Sequence, residues 1–471
     1  MKASKLLLLL ALPLAAHAQQ ASHTGKDSPA EAVFRAYLKA FNTGDRDTLL
    51  AFFKDHYPSR TPVIDNEMRF RRGTGGFDFR KSEEATATTF TALVQEKDGD
   101  QFARATVEVD PNKPDQIAKM GLRAIPRPAE FAIPRLSEAE ALKEFGARLE
   151  RLAAAEKFMG AALVAHNGKA VFTAAHGYAD REQKIPNKVT TRFRMGSMNK
   201  MFTATSTLQL VQAGKINLTD PLAKYLPDYP NKDLAAKVTI HHLLTHTGGT
   251  GDFFGPEYSA HRLELKMLQD YVKLFGERPL RFEPGARWEY SNYGFILLGL
   301  VVQKASGQDY YDYVHDHIFK PAGMTATASE PEEVAVPDRS KGYMNQGGKL
   351  VLNTDTLPYR GTSAGGGYTT VEDLLRFANA LHDHKLLNEK YTDLLTTGKV
   401  ESGAPGDKYA YGFDERIENG IRSFGHSGGA PGMNGDLRIF PQSGYVVVAL
   451  ANMDGAAVNA SNWIAARLPL K

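Results

Sequence analysis

The 471-residue chain has no cysteine. That absence excludes disulfides, thiolate metal sites, a cysteine nucleophile and a lipid-modified cysteine at a cleavage site. Long apolar runs are scarce as well. One opens the chain, Leu6 to Ala16, and it falls far short of the roughly 20 residues that a membrane-spanning helix needs; no later stretch is long enough either. Surplus charge is also lacking: 57 Lys and Arg face 54 Asp and Glu, a formal net charge of +3, which gives no global pull towards nucleic acid or an anionic membrane. There is no internal repeat, and no low-complexity region beyond the first residues.

What is present begins with a three-part leader. Lys2 and Lys5 precede the apolar run, and Ala16-His17-Ala18 stands before Gln19, the layout of a secretory signal peptide cleaved after Ala18. Its removal takes away two lysines and no acid, so the charge falls from +3 to +1. An exported, cysteine-free protein whose fold rests on its core alone fits a bacterial periplasm or the medium. The length predicts two globular units after that leader.

In the first unit, residues 29–127, apolar side chains recur at helical spacing from Ala30 to Asn42 and again from Asp47 to His56, and threonine, valine and phenylalanine mark strands over 85–96 and 102–110. Two helices followed by a small sheet make an α+β unit. The string Tyr37-Leu38-Lys39-Ala40-Phe41-Asn42-Thr43-Gly44-Asp45, with Leu49 and Phe52-Phe53, resembles the opening of nuclear-transport-factor-2-like domains, which are small and cone-shaped. Pro128 and Pro134 punctuate a linker over 128–136. The second unit, 137–471, opens with an amphipathic helix to about Lys157 and a hairpin, Ala161 to His166 and Ala170 to Ala175, around Asn167-Gly168. It closes with a second hairpin, Leu437 to Phe440 and Tyr445 to Ala451, and a helix from about Ala456 to Leu468. Both ends would meet in one antiparallel sheet, with a helical middle inserted and the site between sheet and helices.

The chemistry is concentrated in three places. Ser197 and Lys200 are three apart at the head of a Pro- and Gly-free run predicted as a buried helix from Ser197 to Ala213, so the amine reaches the hydroxyl on one helical face. The helix N-terminus favours developing negative charge, and low dielectric favours the neutral amine that a base requires. Tyr290 and Asn292 flank one residue before an apolar helix from Phe295 to Lys304; a phenol can share proton transfer and a carboxamide can hold a substrate carbonyl. Gly425-His426-Ser427-Gly428-Gly429 follows a strand-like Ile421 to Phe424, where glycines allow close approach of a strand edge and the Gly429 N–H can serve an oxyanion beside that of Ser197.

Those elements in that order, with Val238 to Gly249 and Gly365 to Leu374 as further matching strings, resemble the serine penicillin-recognising hydrolases: class C β-lactamases, D-alanyl-D-alanine carboxypeptidases and esterases. The resemblance implies a β-lactamase/transpeptidase-like fold, an antiparallel sheet flanked by helices with a helical half. It also implies Ser197 as acylated nucleophile, Lys200 and Tyr290 as the proton-transfer pair, Asn292 as a substrate-amide contact, and His426, Gly428 and Gly429 on the strand opposite. Typical β-lactamases and many carboxypeptidases carry lysine where His426 stands. A mostly neutral imidazole attracts a substrate carboxylate less, and this favours an esterase or D-amino-acid peptidase over a β-lactamase or carboxypeptidase.

Competing readings are weaker. His242 and His246 lie one turn apart, but no glutamate sits between them as in the zinc-protease motif, so His241, His242 and His246 are expected to order a loop, with no metal and no cofactor. Thr370 to Asp373 is read as a capping box. Arg69, Arg71, Arg72, Arg80 and Lys81 around Gly73 to Gly76 lack the rest of a phosphate loop and are read as a solvated basic face. Substrates are then small esters, amides or peptides, with no nucleic acid and no membrane span. The first unit would shape the cleft, pair two copies as a homodimer or bind a wall fragment. A non-enzymatic alternative is a catalytically silent cell-wall peptide-binding module.

Overall fold

The computed structural model describes residues 27–403 and 406–470; the leader and its cleavage site at Ala18 lie outside them. Among the described residues no helix is long and apolar enough to cross a membrane. The chain divides into two units at Pro126 and Arg127.

In the first unit, α1 (Pro29–Thr43) starts where Ser28 Oγ accepts from the N–H of Glu31, and it stops at Gly44 in the left-handed conformation. Asp45 caps α2 (Arg46–His56) in the same way. Phe34, Phe41 and Phe53 bury their rings against a four-stranded antiparallel sheet, β1 (Phe77–Ala85), β2 (Thr89–Glu96), β3 (Phe102–Asp110) and β4 (Lys113–Ile125), ordered as in sequence.

Three expectations are corrected here. A third helix, α3 (Ile64–Thr74), occupies the arginine-rich stretch; with few apolar positions its period was faint. The strand expected over 85–96 is broken by a turn that threonines build, Thr86 N–H donating to Thr89 O and Thr89 N–H to Thr86 Oγ1. Threonine is a strand former by propensity and a turn former by its hydroxyl, and here the hydroxyl prevails. The basic stretch is more than a solvated face: Arg71 donates to the carbonyls of Phe41 (2.8 Å) and Asn42 (2.9 Å), closing the C-terminal end of α1, and Arg80 donates to Gln95.

The second unit is built on an eight-stranded antiparallel sheet. After α4 (Glu138–Ala154), begun by a full Ser137/Glu140 capping box, the hairpin β5 (Gly160–His166) and β6 (Lys169–His176) turns at Asn167 and Gly168, both at positive φ, as a two-residue hairpin turn requires. The other strands come from the C-terminal part: β7 (Val400–Glu401), β8 (Asp407–Tyr409), β9 (Asp414–Glu418), β10 (Ile421–Ala430), β11 (Met433–Phe440) and β12 (Tyr445–Ala451). Their order is β7-β8-β9-β10-β11-β12-β5-β6, so both ends of the unit meet in one sheet. Alternation sorts the side chains: Val164 and Val447 face α4 and α8 (Ala456–Ala465), whereas Leu163 and Val448 face α5 (Asn199–Gln212), α6 (Asn292–Ser306) and α7 (Val371–His382).

At the start of α7 only half of the expected capping box forms. Thr370 accepts from the Asp373 N–H, but the buried Asp373 carboxylate turns away to accept from Ala326 N, Thr327 Oγ1 and Arg376. Thr370→Ala should therefore cost about 1 kcal/mol, as for an ordinary cap, and Asp373→Ala, which strands three donors, about 3 kcal/mol or more. Urea unfolding of the two variants checks the order; equal losses would refute it.

Candidate active site

The turn carrying Ser197 is shaped by backbone before any side chain acts. Gly196 takes φ 53°, a conformation that favours glycine, and Gly196 to Met198 form a 3-10 turn, so α5 begins at Asn199 rather than at Ser197 as the spacing predicts. A glycine loop pins this turn: Met195 N–H donates to Gly367 O, Gly366 N–H to Gly196 O, and Gly367 N–H to Asn199 Oδ1. On the other side runs β10. A Cβ on Gly428 would lie 1.9 Å from Met195 O and 2.9 Å from Ser197 N, and one on Gly196 would lie 2.7 Å from Gly429 N. The approach that the glycines permit is thus to the serine turn itself, and the Ser197 and Gly429 amides sit on adjoining backbone.

Lys200, one turn into α5, is wholly buried. Its Nζ lies 3.1 Å from Ser197 Oγ, 2.7 Å from Asn292 Oδ1 and 2.5 Å from Ala364 O. A neutral amine has two N–H groups and one lone pair. Asn292 Oδ1 and Ala364 O have no proton to give and take the two N–H groups, which leaves the lone pair to accept from the serine hydroxyl. Burial pushes the Lys200 amine down to about 7, against the opposing pull of the Asp252 and Asp414 carboxylates.

Asn292 is the first residue of α6, behind the N-cap Ser291. Its carboxamide is engaged at both ends, since Nδ2 donates to Asp252 Oδ2 at 2.8 Å; that bond fixes which end faces the amine. Tyr290 precedes the cap. Its ring lies under the Lys200 amine, 4.8 Å from Nζ to the centroid, and against His246, with centroids 4.3 Å apart. Burial raises the phenol well above its ordinary value, and a hydrogen bond with Ser197 draws it part of the way back. On β10, His426 is 4% exposed; its Nε2 meets Tyr409 Oη at 3.0 Å and its Nδ1 meets Ser427 O. Burial lowers its pKa, leaving a neutral ring at pH 7.

A cleft of about 380 Å³ joins these groups, with Ser197, Tyr290, His426, Gly428 and Gly429 on its wall beside Trp288, Asp407, Asp414 and Arg416. Lys200 and Asn292 lie behind Ser197. Ser197, Lys200, Tyr290, Asn292, His426, Gly428 and Gly429 are thus brought together, while Asp252, Ala364 and Asp414 are additions. Ala364 acts through its backbone carbonyl, and Asp252 through its bond to Asn292, forty positions away, and its charge near Lys200, so neither left a side-chain pattern to read. The three histidines diverge: His241 Nδ1 meets Tyr411 Oη, His242 Nδ1 accepts from Thr239 N–H, and His246 Nδ1 accepts from Ser291 N–H, which seats the Tyr290 to Asn292 segment.

A protein-family model described as Beta-lactamase matches residues 145–471. The protein PbpX of Bacillus subtilis (strain 168), which carries a penicillin-binding-protein name, is 32% identical over 295 residues, 62% of this chain and 70% of its own length. A penicillin-binding protein structure from Bacillus halodurans is 35% identical with a TM-score of 0.62, over 68% of this chain and 99% of that one. A D-stereospecific amidohydrolase from Streptomyces sp. is 28% identical with a TM-score of 0.58, over 68% and 98% of the two chains. The chain spans about two thirds of the length of the curated relatives it matches.

Because β10 is packed so closely on the serine turn, Gly428→Ala must displace Ser197 or the strand. We expect labelling of Ser197 by a fluorophosphonate to slow by about tenfold or more, in line with the cost of overpacking; labelling at the unaltered rate would show that the contact does not position the hydroxyl.

Proposed function

Since the chain belongs to the Beta-lactamase family, we propose that it is a secreted serine hydrolase that cleaves an ester or amide through an acyl-enzyme on Ser197, of esterase or D-amino-acid peptidase type. The observation that carries this reading is the buried Lys200 amine, its two N–H groups occupied and its lone pair turned to Ser197 Oγ at 3.1 Å.

In the proposed reaction the Oγ–H proton passes to Nζ as Oγ bonds to the substrate carbonyl carbon, and the oxyanion is received by the N–H groups of Ser197 and Gly429. The leaving oxygen or nitrogen departs with a proton supplied through the Tyr290 phenol, which the lysine ammonium restores. Water then attacks the carbonyl carbon of the ester on Ser197 and gives its proton to Nζ; the Oγ–C bond breaks, Oγ takes back a proton by the same route, and the acid is freed. Asn292, expected as a substrate-amide contact, has its Oδ1 on Lys200 and its Nδ2 on Asp252, and we give it the task of positioning the amine beside that contact. The neutral His426 supports ester and amide substrates over those held by a carboxylate, and the D-stereospecific amidohydrolase among the similar structures supports the D-amino-acid option.

The leader supports export to the periplasm or medium. The helices and sheet of the first unit, around a cavity of about 360 Å³ walled by Phe34, Tyr37, Phe70 and Phe77 together with Arg60 and Glu67, support a cone-shaped, nuclear-transport-factor-2-like domain.

Fluorophosphonate labelling should occur in the native protein and vanish in Ser197→Ala; a native chain that stays unlabelled would instead favour the silent peptide-binding module. The pH dependence follows from Lys200. Below about 7 the amine carries a third proton and has no lone pair to offer, so kcat/KM should rise with pH through that value. Lys200→Arg, permanently charged, should be inactive at every pH, and a flat acidic limb would exclude Lys200 as the base.

A further inference from the structure

Asp414 opens β9 on the wall of the cleft. Its neighbours across the sheet are Tyr409 on β8 and Gly425 on β10, and Gly425 presents no side chain to it. Among the described residues its carboxylate has neither a hydrogen bond nor an ion pair. The other carboxylate on this wall differs: Asp407 stands opposite Arg416 in the strand pairing and meets its guanidinium at 3.6 Å. Two carboxylates thus face one guanidinium, and that one is matched.

The unmatched charge acts on the reacting groups. Asp414 opposes the depression of Lys200 and His426 and adds to the elevation of Tyr290, so its field reaches the centre where Ser197 sits. Lys200 makes a weak counter-ion, close to half neutral near pH 7 and pointed at three other oxygens. Arg438 lies 3.7 Å from Asp436 and is shared by the charges of Asp436, Glu418 and Asp414, three carboxylates for one guanidinium. A half-buried carboxylate without a cation is costly unless water or a ligand serves it. This part of the cleft wall therefore offers a ligand a neutral imidazole and a negative charge that no cation pairs.

We propose that Asp414 receives the ammonium group of the substrate, so that the preferred acyl donor is an amide or ester of an amino acid with a free amine. This specificity role rests on Ser197 being the nucleophile.

The test uses the full chain and two matched substrate pairs, D- and L-phenylalanine p-nitroanilide, each with a free amine and N-acetylated. In Asp414→Asn, KM for the preferred free-amine substrate should rise about ten- to a hundredfold, as for loss of a charge-assisted hydrogen bond, whereas any change in kcat through Lys200 should be the same for the free-amine and the N-acetyl substrate. KM for the N-acetyl substrate should stay as before, and Asp414→Glu should recover most of the lost affinity. Raising the salt concentration should raise KM for the free-amine substrate alone. Equal losses on both substrates, or none, would overturn the assignment, as would a native enzyme that labels with fluorophosphonate yet prefers the N-acetyl form. Failure of the native chain to label would remove the serine hydrolase reading, and this inference with it.

Discussion

Everything in the second unit converges on a lysine amine that has no water to turn to. Lys200 lies wholly inside the protein, and the folded chain gives its nitrogen three oxygens, one from the adjoining serine turn and two from distant segments, the head of α6 and the carbonyl of Ala364. An ammonium there meets a desolvation cost that only nearby carboxylates reduce. A neutral amine meets almost none and keeps two strong hydrogen bonds. The packing of α5 between sheet and helices therefore selects the protonation state, and the side chains that look catalytic depend on it.

Such an arrangement requires backbone precision. Gly196, Gly365 and Gly428 allow three chain segments to touch around Ser197, each at a distance that a Cβ would disturb. Those contacts are made by main chain, which has few ways to move. The Tyr290 to Asn292 segment is held by a similar device, with Ser291 N–H donating to a buried, neutral His246. The histidine string that superficially suggests metal binding does its work by seating the second group of proposed active residues.

The legible parts of this protein are those governed by local period and by motif. The hairpin at Asn167-Gly168 was readable because only a few residues suit two successive positive φ angles, and α5 because an unbroken apolar run ends at Gly214. The Ser197, Lys200 and Tyr290 positions were readable because reactive groups recur at fixed spacing in a known family. The turn of Thr86 to Thr89 was hidden because one residue type serves strands and turns alike, and α3 because a helix that buries little leaves little periodicity. Asp252, Ala364 and Asp414 were hidden for a different reason. Their importance is created by what the fold brings next to them, and a carbonyl oxygen or a lone aspartate on a short strand has no sequence signature of its own.

Burial has opposite consequences for an amine and a phenol, and in this cleft that difference divides the labour. Excluding water disfavours whichever form is charged, so the same surroundings lower Lys200 towards neutrality and raise Tyr290 away from ionisation. Near pH 7 one group is thereby kept able to accept a proton and the other able to donate one, with Ser197 in contact with both. A single dry environment moves their affinities for the proton in opposite directions. The carboxylates of Asp252 and Asp414 work against the lowering of the amine, and with them absent Lys200 would be a weaker base still. The proposed base is therefore set by a balance, deep burial on one side and two acids on the other, which holds it close to the pH at which the proton must be exchanged in both directions.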